Sequence, residues 1–302
     1  MKPKLALNDI DVASTYNTLG MAELLGYLIK SDLFEISKHN ERIKVCKGER
    51  GALLYYNDKR VYVDFWEYAL PTYSGEVHGA NIDLIVKLQD TNQSDEQISN
   101  NFVRKNTFTS WTKEQRLDYW RKVVPWTFFC SRMMKQFIGK EDEIQPVPIE
   151  RMAFFCGKEW KCRFAMRDKL KKDGIEWSSS SQEFRSMRPL TDDEYIQKMK
   201  SSKYGLVLHG RGSYATEGKN RREIDYMILK KPLLLNYKPY YYNQLEPGKH
   251  YIYIDANTDF NNLDKMYNID EIAQNGYQWY KDNASPEGAA KVFLQIMTEK
   301  FG

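Results

Sequence analysis

The feature that most constrains the fold is an alternation of apolar runs and helical patterns between residues 151 and 255. The predicted strands are Met152–Cys156, Tyr204–His209, Pro232–Asn236 and His250–Asp255. The predicted helices are Lys161–Lys172, Asp192–Lys200 and Lys219–Lys230. Because strands that alternate with helices pair in parallel through right-handed crossovers, this half of the chain indicates an α/β fold with a parallel sheet.

The amino-terminal half has a different pattern. Ala52–Tyr56 and Arg60–Phe65 flank the dipeptide Asn57-Asp58, which predicts a β-hairpin. Ile82–Leu88 is apolar enough to be a buried strand. At the other end of the chain, Ser285–Lys300 has its apolar residues on one face, which predicts a long amphipathic helix.

The best candidate for a linker is Glu141–Pro148, with the sequence EDEIQPVP. It is acidic and then proline-rich, and proline ends regular structure and stiffens a connection. We therefore expect an amino-terminal domain of residues 1–147 and a carboxy-terminal domain of residues 148–302, with the final helix, 285–302, packed on the amino-terminal domain.

Composition excludes several classes of protein. Of 302 residues, 42% are hydrophobic and 28% charged, which is typical of globular proteins, and the net charge of +4 is too small to indicate nucleic-acid binding. The four cysteines form no CxxC pair, which argues against a zinc site. We find neither a signal peptide nor an apolar stretch long enough to span a membrane, so we expect a soluble, cytoplasmic protein.

The loop most suited to binding is HGRGSYATEG, residues 209–218, which follows the predicted strand Tyr204–His209. Its glycines let the backbone approach a ligand closely. The next helix carries Arg221 and Arg222 in its first turn, where free N–H groups favour phosphate. The loop matches neither the dinucleotide-binding fingerprint nor a P-loop, so a plain strand-to-helix connection stays open.

The order of these elements resembles a known family. A glycine loop, the helix start Arg222-Glu223, the strand Lys231–Leu234 and the tyrosine-rich Tyr242–Ile254 resemble the carboxy-terminal half of GT-B glycosyltransferases. They are most similar to the exostosin-like and CAP10-like (protein O-glucosyl- or O-xylosyltransferase) groups. Two more stretches, Phe154–Lys158 and Ile272–Met297, resemble the first donor-domain strand and the closing helices of the family.

The resemblance implies two Rossmann-like domains that face each other across a cleft, with the last helix crossing back to the amino-terminal domain. The implied reaction is inverting transfer of a sugar from a nucleotide-sugar to a hydroxyl of a glycan or of a protein-linked sugar. The implied donor is a UDP-sugar such as UDP-xylose or UDP-glucose. In the family, an acidic residue at the position of Glu223 binds the ribose and the arginines bind the diphosphate. The expected donor ligands are Lys158, Arg163, Gly210, Arg211, Gly212, Ser213, Tyr214, Arg221, Arg222 and Glu223.

No divalent metal is expected. GT-B enzymes offset the leaving diphosphate with arginines, lysines and a helix amino terminus. The other glycosyltransferase plan, GT-A, needs a metal-binding DxD motif, and Asp9-x-Asp11 precedes any convincing strand. Many cellular members carry a membrane anchor or a secretory signal, so a chain without either suggests a bacterial or viral source.

An inverting enzyme needs a general base, which GT-B enzymes supply from the amino-terminal domain. The candidates are Asp64, at the end of the predicted hairpin, Asp90, after the strand Ile82–Leu88, and His78 in a loop. Asp64 leads because the aromatic residues that follow it, such as Trp66, suit a sugar ring. Turn and capping roles for these acids stay open.

Two other functions fit the sequence less well. A GT-B fold can serve as a non-catalytic binding module, since fold does not determine function. A nucleic-acid-binding protein would use the 14% aromatic content to stack bases, but basic and acidic residues are mixed throughout the chain.

Overall fold

The fold is described from a computed structural model of the chain. The described residues are 2–7, 26–38, 51–64, 81–87, 114, 117–118, 121–127, 132–157, 161–179, 190–208, 217–218 and 221–302. They build mixed and parallel sheets with helices between strands, which confirms the predicted α/β class. None of the helices in these ranges combines the length and apolar character needed to cross a lipid bilayer.

Thirteen strands are present in these ranges. Six lie in the amino-terminal part: β1 (Lys4–Leu7), β2 (Glu35–Lys38), β3 (Gly51–Tyr56), β4 (Lys59–Asp64), β5 (Leu84–Lys87) and β6 (Val123–Pro125). Seven follow: β7 (Arg151–Gly157), β8 (Glu176–Ser179), β9 (Ser202–Val207), β10 (Glu217–Gly218), β11 (Leu233–Leu235), β12 (Lys238–Pro239) and β13 (Ile252–Tyr253).

Six α-helices lie in the described ranges of the carboxy-terminal half. They are α1 (Lys161–Lys172), α2 (Asp192–Lys200), α3 (Arg221–Ile228), α4 (Leu263–Met266), α5 (Ile269–Asn283) and α6 (Pro286–Phe301). Short 3₁₀ helices occur at Arg132–Phe137, Glu141–Glu143 and Phe260–Asn262. Helices α1 and α2 have the bounds predicted from the sequence, whereas α3 ends at Ile228, two residues before its predicted end.

The chain forms two compact units, and neither is continuous in sequence. The first contains Met1–Phe128, Tyr240–Tyr242 and Pro286–Gly302, and the second contains Phe129–Pro239 and Asn243–Ser285. The units divide between Phe128 and Phe129, whereas the predicted domains divide between residues 147 and 148. The predicted roles of the two domains, acceptor binding and nucleotide-sugar binding, stay predictions.

The first unit is built on a six-stranded mixed sheet in the order β2-β1-β3-β4-β5-β6. Strand β3 pairs antiparallel with β1 and β4, while β4, β5 and β6 are mutually parallel. Asn57 and Asp58 join β3 to β4 with φ of 45° and 69°, as a two-residue hairpin turn of type I′ requires. The predicted hairpin is confirmed. Its antiparallel pairing, beside the parallel strands β4, β5 and β6, makes this sheet mixed.

Helix α6 packs in the first unit through aromatic side chains. The Trp126 indole donates its Nε1–H to the carbonyl of Ala289 at 3.1 Å, and its ring lies 5.2 Å from that of Phe293. Phe34 meets Phe293 edge to face at 6.1 Å, and Phe293 is fully buried. The final helix is therefore part of the core of this unit.

The second unit contains a five-stranded sheet in the order β13-β11-β9-β7-β8, with all strands parallel. This confirms the predicted parallel sheet. One face is covered by an apolar cluster that includes Phe155, Met166, Leu206 and Phe260. A second, two-stranded sheet pairs β10 with β12.

The acidic start of the predicted linker is fixed to the second unit. Glu141 is buried and accepts a hydrogen bond from the Tyr280 hydroxyl at 2.8 Å. Asp142 forms an ion pair with Lys230 at 2.7 Å and accepts a hydrogen bond from Tyr277. Regular structure ends after Glu143, so only the later part of the predicted linker is extended chain.

Candidate functional site

The strand order of the second unit creates a crevice at one place. From β7 the chain crosses to β8 on one side, then returns to β9 on the other side of β7 and continues outward to β11 and β13. The connections that follow β7 and β9 therefore leave the sheet in opposite directions. In open α/β sheets, ligands bind beyond the carboxyl ends of the strands at such a switch point.

Two helices begin at this edge of the sheet. Helix α1 follows β7 and α3 follows β9, so both direct their amino termini toward the carboxyl ends of the strands. The dipole of a helix and the N–H groups of its first turn favour an anion. The backbone groups at this edge are thus suited to bind a phosphate even without side chains.

The glycine loop is held at both of its ends. Before it, Leu208 continues from β9 and is fully buried. After it, Glu217 and Gly218 form β10, which pairs in parallel with Lys238 and Pro239 of β12. The intervening residues, including the predicted ligands Gly210, Arg211, Gly212, Ser213 and Tyr214, lie outside the described residues.

Arg222, in the first turn of α3, is partly exposed and touches two other elements. Its guanidinium carbon lies 5.9 Å from the ring centroid of Phe155 on β7, and Tyr195 on α2 is a close electrostatic neighbour of the guanidinium. Burial lowers the pKa of Arg222, but the neighbouring Tyr195 and Cys156 outweigh it and the pKa is raised overall. Arg222 therefore keeps its positive charge at the switch point.

Tyr195 is itself held firmly. It is 8% exposed, and its ring meets that of Phe154 edge to face at 5.6 Å. Burial raises the pKa of Tyr195 to about 12, although Arg222 acts in the opposite direction. Tyr226 packs nearby and donates its hydroxyl proton to the carbonyl of Phe154 at 3.1 Å.

Glu223 has different surroundings. Its side chain is fully buried, and its carboxylate accepts a hydrogen bond from the hydroxyl of Tyr237, which follows β11. A ribose can reach this carboxylate only if the residues that cover it move. The predicted contact of Glu223 with ribose stays a prediction that requires this movement.

The remaining predicted site residues are placed only in part. The backbones of Arg163 and Arg221 lie at the starts of α1 and α3, and that of Asp64 ends β4, but their side chains are outside the described part. Lys158, His78 and Asp90 lie wholly outside it. The structure thus places Arg163, Arg221, Arg222 and Glu223 on the two helices that begin at the switch point.

At the carboxyl end of β4, Asp64 is in register with Lys87 of β5. Lys87 is fully buried, and the backbone N–H of Trp126 donates to its carbonyl at 2.9 Å. Sequence reasoning missed Lys87, because a lysine at the end of an apolar strand is typically exposed. It also missed Tyr195 and Tyr237, which are brought to Arg222 and Glu223 from other elements.

The described residues contain no group of three or more histidine, cysteine, aspartate or glutamate side chains placed to hold a metal ion. The predicted independence from metal is not tested by this observation. Independence from metal stays a prediction, which titration with a nucleotide in the presence of a chelator can test.

No protein-family model matches the chain, and no curated protein matches it. Among solved structures, TarM is 13% identical, with a TM-score of 0.37 over 82% of this chain and 51% of its own. HepE of Anabaena, solved in complex with UDP, is 10% identical, with a TM-score of 0.36 over 93% of this chain and 77% of its own. This chain spans about half the length of TarM. At TM-scores this low, neither likeness assigns a fold family or an activity to this chain.

Proposed function

We propose that the chain is a GT-B-type glycosyltransferase that binds a nucleotide-sugar donor at the switch point between β7 and β9. One observation carries the proposal: the carboxyl edge of a parallel sheet, between two oppositely directed crossovers, receives two helix amino termini and the charged Arg222. The resemblance of the sequence to GT-B glycosyltransferases supports the choice of a nucleotide-sugar over other phosphorylated ligands.

In the proposed reaction, the acceptor oxygen forms a bond to the anomeric carbon while the bond to the diphosphate oxygen breaks. The electron pair leaves with the nucleoside diphosphate, and the proton of the acceptor passes to a general base. Arg222 and the amino termini of α1 and α3 stabilise the charge on the leaving group, which preorganised donors do effectively in a water-poor site. The proposal therefore includes no divalent metal.

The finer assignments rest on the resemblance alone. They are a UDP-sugar donor such as UDP-xylose or UDP-glucose, a glycan or protein-linked sugar as acceptor, and inversion at the anomeric carbon. Asp64 is the proposed base, with Asp90 and His78 as alternatives. Support for Asp64 comes from its place at the carboxyl end of β4, next to the parallel strand β5.

Calorimetric titration of the protein with UDP, GDP and ADP, in the presence of a chelator, tests the proposed donor site. We expect one of the three to bind without metal and Arg222→Ala to weaken it by roughly 1.5–3 kcal/mol, the scale of hydrogen bonds to a charged group. Arg151→Ala is the matched control, because Arg151 begins β7 and thus lies at the opposite edge of the same sheet.

Three results would count against the proposal: no nucleotide binds, binding depends strictly on Mn²⁺, or Arg222→Ala binds as well as the wild type. Slow hydrolysis of the matching nucleotide-sugar without acceptor separates an enzyme from a non-catalytic binding module. A module binds the nucleotide and leaves the sugar attached.

The ribose contact proposed for Glu223 needs a separate test because the carboxylate is buried. We compare UDP with its 2′,3′-dideoxy analogue. If Glu223 accepts hydrogen bonds from the ribose, the wild type prefers UDP and Glu223→Gln reduces that preference. Equal preference in the two proteins would leave Glu223 a structural residue that anchors Tyr237.

A further inference from the structure

The start of α3 carries a buried hydrogen bond between a tyrosine and a carboxylate. Glu223 is fully buried, and its Oε1 accepts a hydrogen bond from the hydroxyl of Tyr237, which is itself 4% exposed. A buried carboxylate needs such bonds, because an ionised group that loses its water without gaining partners is strongly disfavoured. The Tyr237 hydroxyl supplies one of them in the protein without a ligand.

A ribose would bind Glu223 through the same chemistry. Its 2′ and 3′ hydroxyls are O–H donors, as the hydroxyl of tyrosine is, and a carboxylate accepts from them through its oxygens. Because Glu223 is fully buried, a ribose oxygen can reach it only by taking the place of a group that already contacts it. The hydroxyl of Tyr237 is such a group, so tyrosine and ribose are alternative partners of one carboxylate.

Of these two side chains, Tyr237 is the one placed to withdraw. Glu223 lies on α3, whose next residue, Ile224, is fully buried. The helix also packs so closely on β9 that a Cβ added to Gly205 would lie 2.4 Å from the ring of Tyr226. Tyr237 instead lies between β11 and the two-residue strand β12, outside regular structure, where a rearrangement disturbs fewer contacts.

We propose that Tyr237 is a specificity-determining residue whose hydroxyl occupies Glu223 until the ribose hydroxyls of the donor displace it. This inference rests on the proposed function, since it assumes that a nucleotide binds at the start of α3. In the wild type, ribose binding exchanges one hydrogen bond to Glu223 for another, so the net gain is small. Without the tyrosine hydroxyl, the ribose meets a carboxylate that lacks a donor, and its hydrogen bond adds fully to affinity.

The test titrates the wild type and Tyr237→Phe with UDP and with its 2′,3′-dideoxy analogue, or with the matching guanine or adenine pair if that base binds. We expect UDP to bind the variant about tenfold more tightly than the wild type, the scale of one hydrogen bond to a charged group, and the analogue to bind both equally. Weaker binding of UDP to the variant would show that Tyr237 orients Glu223 for the ribose. That result, an unchanged affinity for UDP, or equal tightening of both ligands would overturn the inference.

The matched control is Tyr204→Phe. Tyr204 is also a buried tyrosine whose hydroxyl donates to a carboxylate, that of Asp264, but it lies near the amino end of β9, whereas α3 follows the carboxyl end. We expect Tyr204→Phe to bind both ligands as the wild type does. Thermal unfolding of Tyr237→Phe should show a less stable free protein that UDP stabilises more than it stabilises the wild type. A substitution that merely loosens the fold would lower stability and affinity together.

Amide hydrogen exchange of the wild type tests the withdrawal without a substitution. Strand β12 directly follows Tyr237 and pairs with β10 through two residues, so movement of Tyr237 should disturb that pairing. We expect the amides of Tyr237 and Lys238 to exchange faster with UDP bound than with the dideoxy analogue bound. Equal exchange in the two complexes would show that Tyr237 stays in place, and would overturn the inference.

The outcomes separate this inference from the proposed function. If the wild type binds a nucleotide and Arg222→Ala weakens it, while Tyr237→Phe discriminates between the ribose and dideoxy forms no better than the wild type does, the role of Tyr237 is wrong and the donor site stands. If the wild type binds no nucleotide, the proposed function fails and the role of Tyr237 fails with it.

Discussion

Arg222 and Glu223 are consecutive residues at the start of α3, yet their side chains have opposite environments. Successive helical residues point about 100° apart, so the two side chains leave the helix on different sides. Arg222 is partly exposed over Phe155, and Glu223 is buried beneath Tyr237. At the scale of the residue, evidence that one of them binds the donor is therefore no evidence for the other.

Asp64 carries the prediction about the base. Asp64→Asn keeps the shape of the side chain and removes its basicity, so we expect sugar transfer to fall about 10²–10⁴-fold while donor binding is unchanged. Asp58→Asn is the control, because Asp58 is an exposed acid in the turn of the same hairpin. If Asp64→Asn transfers the sugar at a near-normal rate and either Asp90→Asn or His78→Ala abolishes transfer, the residue whose substitution abolishes transfer is the base.

His250 predicts a pH dependence of stability. Its Nδ1 accepts the backbone N–H of Glu246 at 3.0 Å, which only the neutral ring can do at that nitrogen. Burial and Lys249 lower the pKa of His250, against a smaller opposite effect of Glu246. A lowered pKa in the folded state contributes stability above the pKa of the unfolded chain, about 6.5, which is lost as pH falls through the folded pKa.

The measurement is the melting temperature of the wild type and of His250→Asn between pH 8 and pH 5. The Asn side chain supplies an acceptor near the position of Nδ1 but does not titrate. We expect the wild type to lose stability relative to the variant as the pH falls below about 6.5. A difference that is constant across this range would show that folding does not change the pKa of His250.

At the scale of the element, the sequence predicted the bounds of a helix or strand well where neighbouring residues in the chain determine them. Helix α2 has its predicted bounds because Thr191 and Glu194 form a capping box. The predicted strand His250–Asp255 is reduced to Ile252–Tyr253, since His250 turns back to bind Glu246. Strands β10 and β12 have two residues each, too few to show a period, so only their pairing reveals them.

The close packing of α3 on β9 gives a prediction for Gly205. A Cβ added there would lie 2.4 Å from the Tyr226 ring, which is buried and has little room to move. We expect Gly205→Ala to lower the free energy of unfolding by about 1–3 kcal/mol, the usual cost of overpacking. Unfolding in denaturant measures this change in the free energy of unfolding.

Gly26→Ala is the control for that substitution. A Cβ at Gly26, in the helical residues 26–30, meets no atom within 4 Å, so the change should be neutral or slightly stabilising. If Gly205→Ala were as stable as Gly26→Ala, the contact between Tyr226 and β9 would be looser than the structure shows.

At the scale of the whole molecule, the sequence predicted the class of fold but not the composition of its units. The parallel sheet followed from alternating strands and helices, a pattern that is local. The placement of residues 129–147 depends on contacts such as Glu141 with Tyr280, which join residues 139 positions apart and leave no local pattern. The predicted linker had the composition of a linker, yet its first residues are anchored.

Phe293 tests the place of α6 in the first unit. Because its ring is fully buried against Trp126 and Phe34, we expect Phe293→Ala to cost about 3–5 kcal/mol. Phe301→Ala, which removes a partly exposed ring stacked on Tyr56 at 6.2 Å, should cost less. Amide hydrogen exchange should show the loss of protection in the first unit. Equal costs for the two variants would contradict this packing.

The discontinuity of the first unit also fixes an order of assembly on the ribosome. Its first 128 residues are made early, but its residues 286–302 follow only after the 157 residues 129–285. At synthesis rates of about 5–20 residues per second, the nascent sheet waits roughly 8–33 s for Phe293 to cover Trp126. The second unit is finished in that interval, so a nascent chain stalled near residue 285 should hold a folded second unit and an unfinished, chaperone-dependent first one.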